Sequence, residues 1–306
     1  MNRIPLETTI AGAYRFLFTK IVSIVGTLWL PFVLMAAIMG GAVYLVVPHE
    51  WLLGHFPTLH AKDVTPQAVF AMIGPCLAMA PLFFVVAIIA VSMMIAGLMR
   101  HALGQKTSMT FVYFSLGANV WRMAGAFILC WLVVMFAGAL LAGACAAFYA
   151  LAFAAIPKPW NGLVLAVFIL CAVCAWVYTA IRLTFFIPAV VVAENRIGLG
   201  RSWQLGGGNF WRIFVIYLLI IMPVAFVGGI IAQMTFLPIV MGHLAQMHAT
   251  DAHGPEAARA FIHTLLPLIP VIVVINLLER IALMGLMAGA AGTAYNAVTA
   301  KAEEHA

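Results

Sequence analysis

The sequence predicts an all-α fold, a polytopic helical bundle with about six helices that cross a membrane. Of the 306 residues, 66% are apolar and only 8% are charged, and the mean hydropathy is +1.13. A soluble domain has too little polar surface to cover such a composition. A bilayer core needs about 20 consecutive apolar residues for each helical span, and the chain supplies such runs repeatedly. The composition therefore indicates an integral membrane protein.

Six apolar runs are predicted to be spans, and the connections between them are short. They lie near residues 21–47, 72–99, 123–156, 160–193, 213–240 and 264–298. No connection is long enough to fold a separate soluble domain. We therefore expect a single transmembrane domain, and any function to lie within the membrane and at its two faces.

The segment before the first run is predicted to be a short interfacial helix over residues 5–19. Pro5 suits a first helical position, and Ile10, Tyr14 and Leu17 fall on one face. The apolar run that follows lacks the small-residue cleavage pattern of a secretory signal. We therefore expect this segment to stay attached.

The basic residues predict the orientation of the spans. With six spans, the N-terminus, the loops at 100–122 and 194–212 and the C-terminus share one side. Ten basic residues lie on that side: Arg3, Arg15, Lys20, Arg100, Lys106, Arg122, Arg196, Arg201, Arg212 and Lys301. The other side has Lys62, Lys158 and Arg259. This positive-inside bias predicts that both termini lie in the cytoplasm. Because the basic residues are dispersed over helix ends, they do not predict nucleic-acid binding.

An internal repeat precedes the third and fifth spans, where "GANVWRM" and "GGNFWRI" share a pattern. The matching residues are Asn119, Trp121 and Arg122 in the first copy and Asn209, Trp211 and Arg212 in the second. A fainter trace, "AYRFLFTK", precedes the first span. The pattern favours three units, roughly 1–100, 101–193 and 194–306, each with a cytoplasmic amphipathic segment and two spans.

The second copy lies within "GRSWQLGGGNFWRIF", residues 200–214, which includes Arg201 and Trp203. Its glycines are not followed by the Lys and Ser or Thr of a nucleotide-binding loop. We interpret the stretch as an anchor: Trp at headgroup depth, Arg at lipid phosphates, and Asn as the cap of the next span. A specific ligand site is the alternative.

The segment from Arg182 to Arg212 resembles a pattern found in a broad group of bacterial six-span proteins. The residues that carry the resemblance are Arg182, Pro188, Glu194, "RSW" at 201–203, Asn209, Trp211 and Arg212. The group includes the membrane domain attached to some glycerophosphoryl diester phosphodiesterases. The resemblance implies an architecture, because the phosphodiesterase activity of those fusions belongs to a separate soluble barrel. The chain has no room for such a barrel and has no H-E-x-x-H or G-x-S-x-G motif, so we expect no enzymatic activity.

Four polar residues inside predicted spans are the candidate site. Arg182 precedes the cytoplasmic end of the fourth span, and Asn276, Glu279 and Arg280 lie near the middle of the sixth. Charges at such depth normally face the bundle interior or a wet cavity. One hypothesis is a solute or proton path built around Glu279 paired with Arg182 or Arg280. The alternative is a structural ion pair or side chains that extend toward water.

Histidine and cysteine patterns predict no metal site, cofactor or disulfide. Seven histidines fall on the outer side: His49, His55, His60, His243, His248, His253 and His263. No two of them have the four-residue spacing that places two imidazoles on one helical face, so solvated loops are the favoured interpretation. The cysteines, including the Cys171 and Cys174 pair, lie in apolar spans, where thiols behave as small hydrophobes.

Small residues recur every four positions in two spans. They are Gly138, Ala142, Ala146, Ala150 and Ala154 in the third span, and Gly285, Gly289 and Thr293 in the sixth. Such stripes allow close helix approach. Together with the intramembrane charges they leave two functions open. One is a module that handles lipid or a small solute, and the other is a scaffold or accessory subunit. Membrane lipids and other membrane subunits are the expected partners.

Overall fold

The computed structural model describes residues 3–46, 66–155, 160–250 and 269–303, and this part of the chain is helical without strands. Its helices are α1 Leu6–Thr19, α2 Ile21–Val46, α3 Pro66–Ala102, α4 Ala118–Ala155, α5 Trp160–Thr184, α6 Ile187–Glu194, α7 Leu199–Leu205, α8 Phe210–Thr250 and α9 Ile269–Glu303. Six segments are long and apolar enough to cross a membrane: α2, α3, α4, α5 with α6, α8 and α9. The all-α polytopic fold is confirmed. The predicted span ends at 47, 156 and 264 lie outside the described residues.

The spans pack as three antiparallel hairpins, α2 with α3, α4 with α5, and α8 with α9, and α3 also contacts α4 and α9. In the second hairpin the rings of Phe148 and Phe168 stack with centroids 4.2 Å apart. The indole of Trp176 donates a hydrogen bond of 3.0 Å to the carbonyl of Val134 and covers Gly138. The hairpins have nearly the bounds of the three proposed units, while their origin as repeats stays a prediction.

The buried core lies at one end of the bundle. It is formed by the start of α2, the end of α3, the starts of α4 and α8 and the end of α9. The opposite halves of the spans expose large apolar side chains, for example Leu45, Phe136, Leu151, Met222 and Met234. Lipid tails are the natural solvent for such a surface, so the exposed half fits the hydrocarbon region.

A short helix, α6, occupies the centre of the core end, where it packs against α3, α4 and α9. Phe186, Val190 and Val191 are fully buried there. The helix is separated from α5 by a break just before Pro188. Proline has no N–H to donate, and its ring clashes with the carbonyl four residues earlier. The predicted fourth span, 160–193, is therefore one membrane-crossing segment that consists of two helices, α5 and α6.

Helix α1 packs along the end of α9, and small residues set their close approach. A Cβ on Gly289 would lie 3.0 Å from the Cα of Ala13, and one on Gly12 would lie 2.8 Å from the hydroxyl of Thr293. The small-residue stripe of the sixth span is therefore confirmed as a packing surface. The buried face of α1 carries Ala13 and Leu17, and the predicted residues Ile10 and Tyr14 lie at its edge, half-buried. Whether the outer face of α1 meets headgroups stays a prediction.

The stripe of the third span gives a different result. Within it, only Gly138 is packed against a neighbouring helix, α5. Ala142, Ala146 and Ala150 are exposed on α4, and the side chain of Ala154 lies outside the described residues. Beyond Gly138, the role of this stripe as a surface for close helix approach stays a prediction, because its described alanines are exposed.

Candidate functional site

A cleft of about 360 Å³ lies between α8 and α9 and is closed at one end by α1. Its walls are mainly apolar and include Leu17, Val224, Val227, Ile231, Ile275 and Leu278. Glu279 supplies the charge among the described residues that line it. The cleft is thus an apolar space with a carboxyl group in its wall.

Two residues of α8, Gly228 and Pro223, shape the wall of the cleft. At Gly228 a Cβ would lie 3.2 Å from a carboxylate oxygen of Glu279, so any side chain there would occupy the space beside the acid. Five residues earlier, Pro223 lacks the N–H that would bond the carbonyl of Leu219. The hydroxyl of Tyr14 donates to that carbonyl at 3.2 Å. This bond holds α1 against α8 at the kink-prone position. Neither Gly228 nor the bond of Tyr14 was predicted, because the sequence of one helix does not determine which residues of another helix it faces.

Glu279 has no ion pair or hydrogen bond with any residue that the structure describes. Arg280 projects from another side of α9 into a separate cavity of about 300 Å³, between α2, α3 and α9. Neighbouring helical residues point about 100° apart, which prevents the two charges from sharing one space. Arg182 is bound elsewhere. The predicted pairing of Glu279 with Arg182 or Arg280 was therefore wrong.

Asn276 lies on the wall of the Arg280 cavity. Its amide donates a hydrogen bond of 3.0 Å to the carbonyl of Ile272, one turn back in α9. The amide is thus satisfied within its own helix. Of the four candidate polar residues, Asn276 and Arg280 share a cavity, Glu279 lines the cleft, and Arg182 lies at the core end.

Arg182 fixes α7 to the end of α5. Its Nε donates to the carbonyl of Trp203 at 3.2 Å, and a terminal nitrogen donates to the hydroxyl of Tyr178 at 2.7 Å. The guanidinium carbon lies 4.0 Å from the centroid of the Trp203 ring, within cation–π range. Beside it, Ser202 donates to the carbonyl of Leu183 at 2.6 Å. The "RSW" residues are accordingly packing residues in this structure.

Glu194 ties together three helices at the core end. It is the last residue of α6, where a carboxylate is unfavourable next to the helix dipole. Two guanidinium groups offset this: Arg196 pairs with one carboxylate oxygen and Arg201 with the other, the latter at 3.2 Å. The hydroxyl of Tyr295 on α9 donates to the carboxylate at 3.1 Å. Arg201, predicted to reach lipid phosphate, is thus bound within the protein.

The second repeat copy clamps the N-terminal segment. The N–H of Ile4 donates to the side-chain oxygen of Asn209 at 3.0 Å, and Arg212 donates to the carbonyl of Ile4. Ile4 is fully buried and Asn209 is 2% exposed. Arg212 therefore uses at least one of its donors on main chain, and contact of its remaining donors with lipid phosphates stays a prediction. Trp211 is 73% exposed and remains free to lie among headgroups.

The first copy makes no such clamp. Arg122 donates to the side-chain oxygen of Asn119 at 3.3 Å, within the first turn of α4. Trp121 is exposed like its counterpart. In both copies the tryptophan therefore points outward, while the asparagine and arginine bind inside the protein.

The prediction that the outer-side histidines form no metal site is not tested, because the side chains of these histidines lie outside the described residues. His49, His55, His60, His253 and His263 lie outside the described residues, as do the side chains of His243 and His248. Where side chains are described, no group of three or more metal-ligating residues is present. The buried His101 is held by the carbonyl of Lys106 and the hydroxyl of Thr110, each at 3.0 Å. Cys171 and Cys174 are free and exposed on α5.

Comparisons with known proteins give no match: no family model, curated protein or solved structure is significantly similar to the chain. The resemblance to the membrane domain of glycerophosphoryl diester phosphodiesterases stays a prediction. The function of the cleft is therefore argued from its own geometry.

Proposed function

We propose that this integral membrane protein binds a lipid or a small amphiphilic solute within the bilayer, and that the cleft between α1, α8 and α9 holds it. The observation that carries the proposal is the apolar cleft with one carboxyl group in its wall. Ligand sites typically have about 300–1,000 Å³ and apolar walls with a few polar groups. The volume of about 360 Å³ falls in this range.

The cleft opens toward the surface that we assign to lipid. Val227 and Leu278 line it, yet they are 56% and 61% exposed. A ligand can therefore enter sideways from the membrane without crossing the packed core end. Among the described lining residues, only Glu279 and Tyr14 have polar side chains. Since the hydroxyl of Tyr14 is bound to Leu219, this lining supports binding rather than catalysis.

Native mass spectrometry of the purified full-length protein tests this proposal. We expect a retained lipid or amphiphile on the wild type. Gly228→Leu places a side chain against Glu279 and should remove the adduct. Gly229→Leu is the matched control, because a Cβ there meets nothing within 4 Å. An adduct that persists in Gly228→Leu, or a wild type without any adduct, would contradict the proposal.

A second candidate function is a scaffold or accessory subunit. The exposed stripe of Ala142, Ala146 and Ala150 on α4 favours it, because small residues at this spacing support helix association in membranes. A retained partner chain that is lost in Ala146→Leu, with the lipid adduct unaffected, would support this role. Retention of the partner by Ala146→Leu would count against it.

We also propose that the core end faces the cytoplasm of a bacterial cell. The segment between α3 and α4 and the α7 region lie at this end, as do the start of α1 and the end of α9. These are the parts of the chain with the predicted excess of Lys and Arg. Reporters fused at the two termini should both indicate the cytoplasm if this orientation holds.

A further inference from the structure

We propose that the ligand of the cleft is a cationic amphiphile, with a protonated amine or quaternary ammonium head on an apolar chain, and that Glu279 binds the head. The inference rests on the proposed function of the cleft and specifies the class of ligand.

Charge complementarity is the first argument. In the part of the chain that the structure describes, Glu279 lines the cleft without an ion pair or a hydrogen bond. An ionised carboxylate among apolar walls is poorly solvated, and a cation beside it restores the lost interaction. An anionic lipid would meet like charge, and a neutral head group could at most donate a hydrogen bond to the carboxylate without neutralising its charge.

The space beside the carboxylate is the second argument. Gly228 faces Glu279 and contributes no side chain, so the side of the acid toward α8 is open to a ligand. The nearest basic residue in sequence, Arg280, projects into the cavity between α2, α3 and α9. The described cleft wall therefore supplies no basic side chain that competes with a cationic head.

The apolar remainder of the cleft suits the tail. On α9 the wall runs from Ile275 to Leu286, about 16 Å along the helix axis. Glu279 lies one turn from the Ile275 end. A chain whose head binds Glu279 can extend past Val224 and Ala282 toward Leu286 and α1. Head and tail are thus both accommodated by one continuous wall.

Binding of radiolabelled decylamine to the full-length protein in zwitterionic nanodiscs tests this inference, with decanol and decyl sulfate as matched probes. We expect the amine to bind roughly tenfold or more tighter than decanol, because its head group carries the charge opposite to that of the carboxylate, and decyl sulfate to bind most weakly. Glu279→Gln should remove the preference for the amine, and decanol should still bind because the Gln amide can accept its hydroxyl. Arg280→Gln, the neighbouring control, should alter neither.

The outcomes separate this inference from the function on which it rests. If Gly228→Leu abolishes binding of amine and alcohol while Glu279→Gln leaves the amine preference intact, the cleft is a ligand site and the cationic head is refuted. If Gly228→Leu changes nothing, the cleft itself is refuted as the site. Should Glu279→Gln fail to give monodisperse protein, Glu279→Asp replaces it. The shorter acid retains the charge, so a loss of the preference for the amine with this variant would overturn the inference.

Discussion

Removal of the clamp on the N-terminal segment is expected to release α1. Asn209→Ala deletes the oxygen that accepts the N–H of Ile4. Both residues are almost completely buried, so water cannot replace the lost acceptor. A buried donor left unsatisfied costs about 1–3 kcal/mol, which corresponds to a change of about 5- to 150-fold in an equilibrium constant. The fraction of molecules in which α1 is detached from its packed position should rise by that factor.

Hydrogen exchange measured by mass spectrometry on peptides from α1 gives this population directly, because exchange follows local opening. The matched control is Asn119→Ala, the same residue of the other repeat copy, whose oxygen binds only within α4 in the contacts described above. We expect faster exchange of α1 in Asn209→Ala alone. Equal exchange of α1 in both variants would refute the clamp.

Three further predictions concern packing, the Arg182 contact and topology. Gly26→Ala should lower the free energy of unfolding by about 1–3 kcal/mol through overpacking, because its Cβ would overlap the carbonyl oxygen of Thr110. The unfolding midpoint should fall accordingly. Gly40→Ala, with open space around it, should be neutral or stabilising. Equal unfolding midpoints for the Gly26→Ala and Gly40→Ala variants would contradict this prediction. A double-mutant cycle of Arg182→Met and Trp203→Leu, which removes the cation and the ring in turn, should give a coupling energy of about 0.5–2 kcal/mol in unfolding, whereas additive effects would show no interaction. Reporters fused at the N-terminus and at the C-terminus should both indicate the cytoplasm, and a periplasmic signal from either would overturn the topology.

Hydropathy was sufficient to predict the spans because each needs only a long apolar run, a property of local sequence. Prolines inside the spans, Pro188 among them, indicate possible kinks, but they do not show which of them interrupts its helix. Pro31 and Pro223 lie inside continuous helices of the same chain. The difference arises from the packing of α6 into the core, which is a tertiary effect.

Of the four residues predicted as a site, one, Glu279, lines the cleft, and its surroundings were not predicted. Intramembrane charge marked Glu279 correctly as a residue of a cavity wall. Its partner depends on which sides of three helices meet, and spacing along one helix does not determine that. Arg212 shows the same limit, because its acceptor, Ile4, is 208 residues away in the chain. A basic residue at a span end is typical of lipid contact, and only the fold shows that this one binds main chain.

The most direct test of the central claim is a crystal structure of the protein grown from a lipidic phase that contains decylamine. We expect elongated density in the cleft between α1, α8 and α9, with its head group at hydrogen-bonding distance from the carboxylate of Glu279. A cleft filled by protein side chains, with Glu279 paired to a basic residue of the chain, would contradict it.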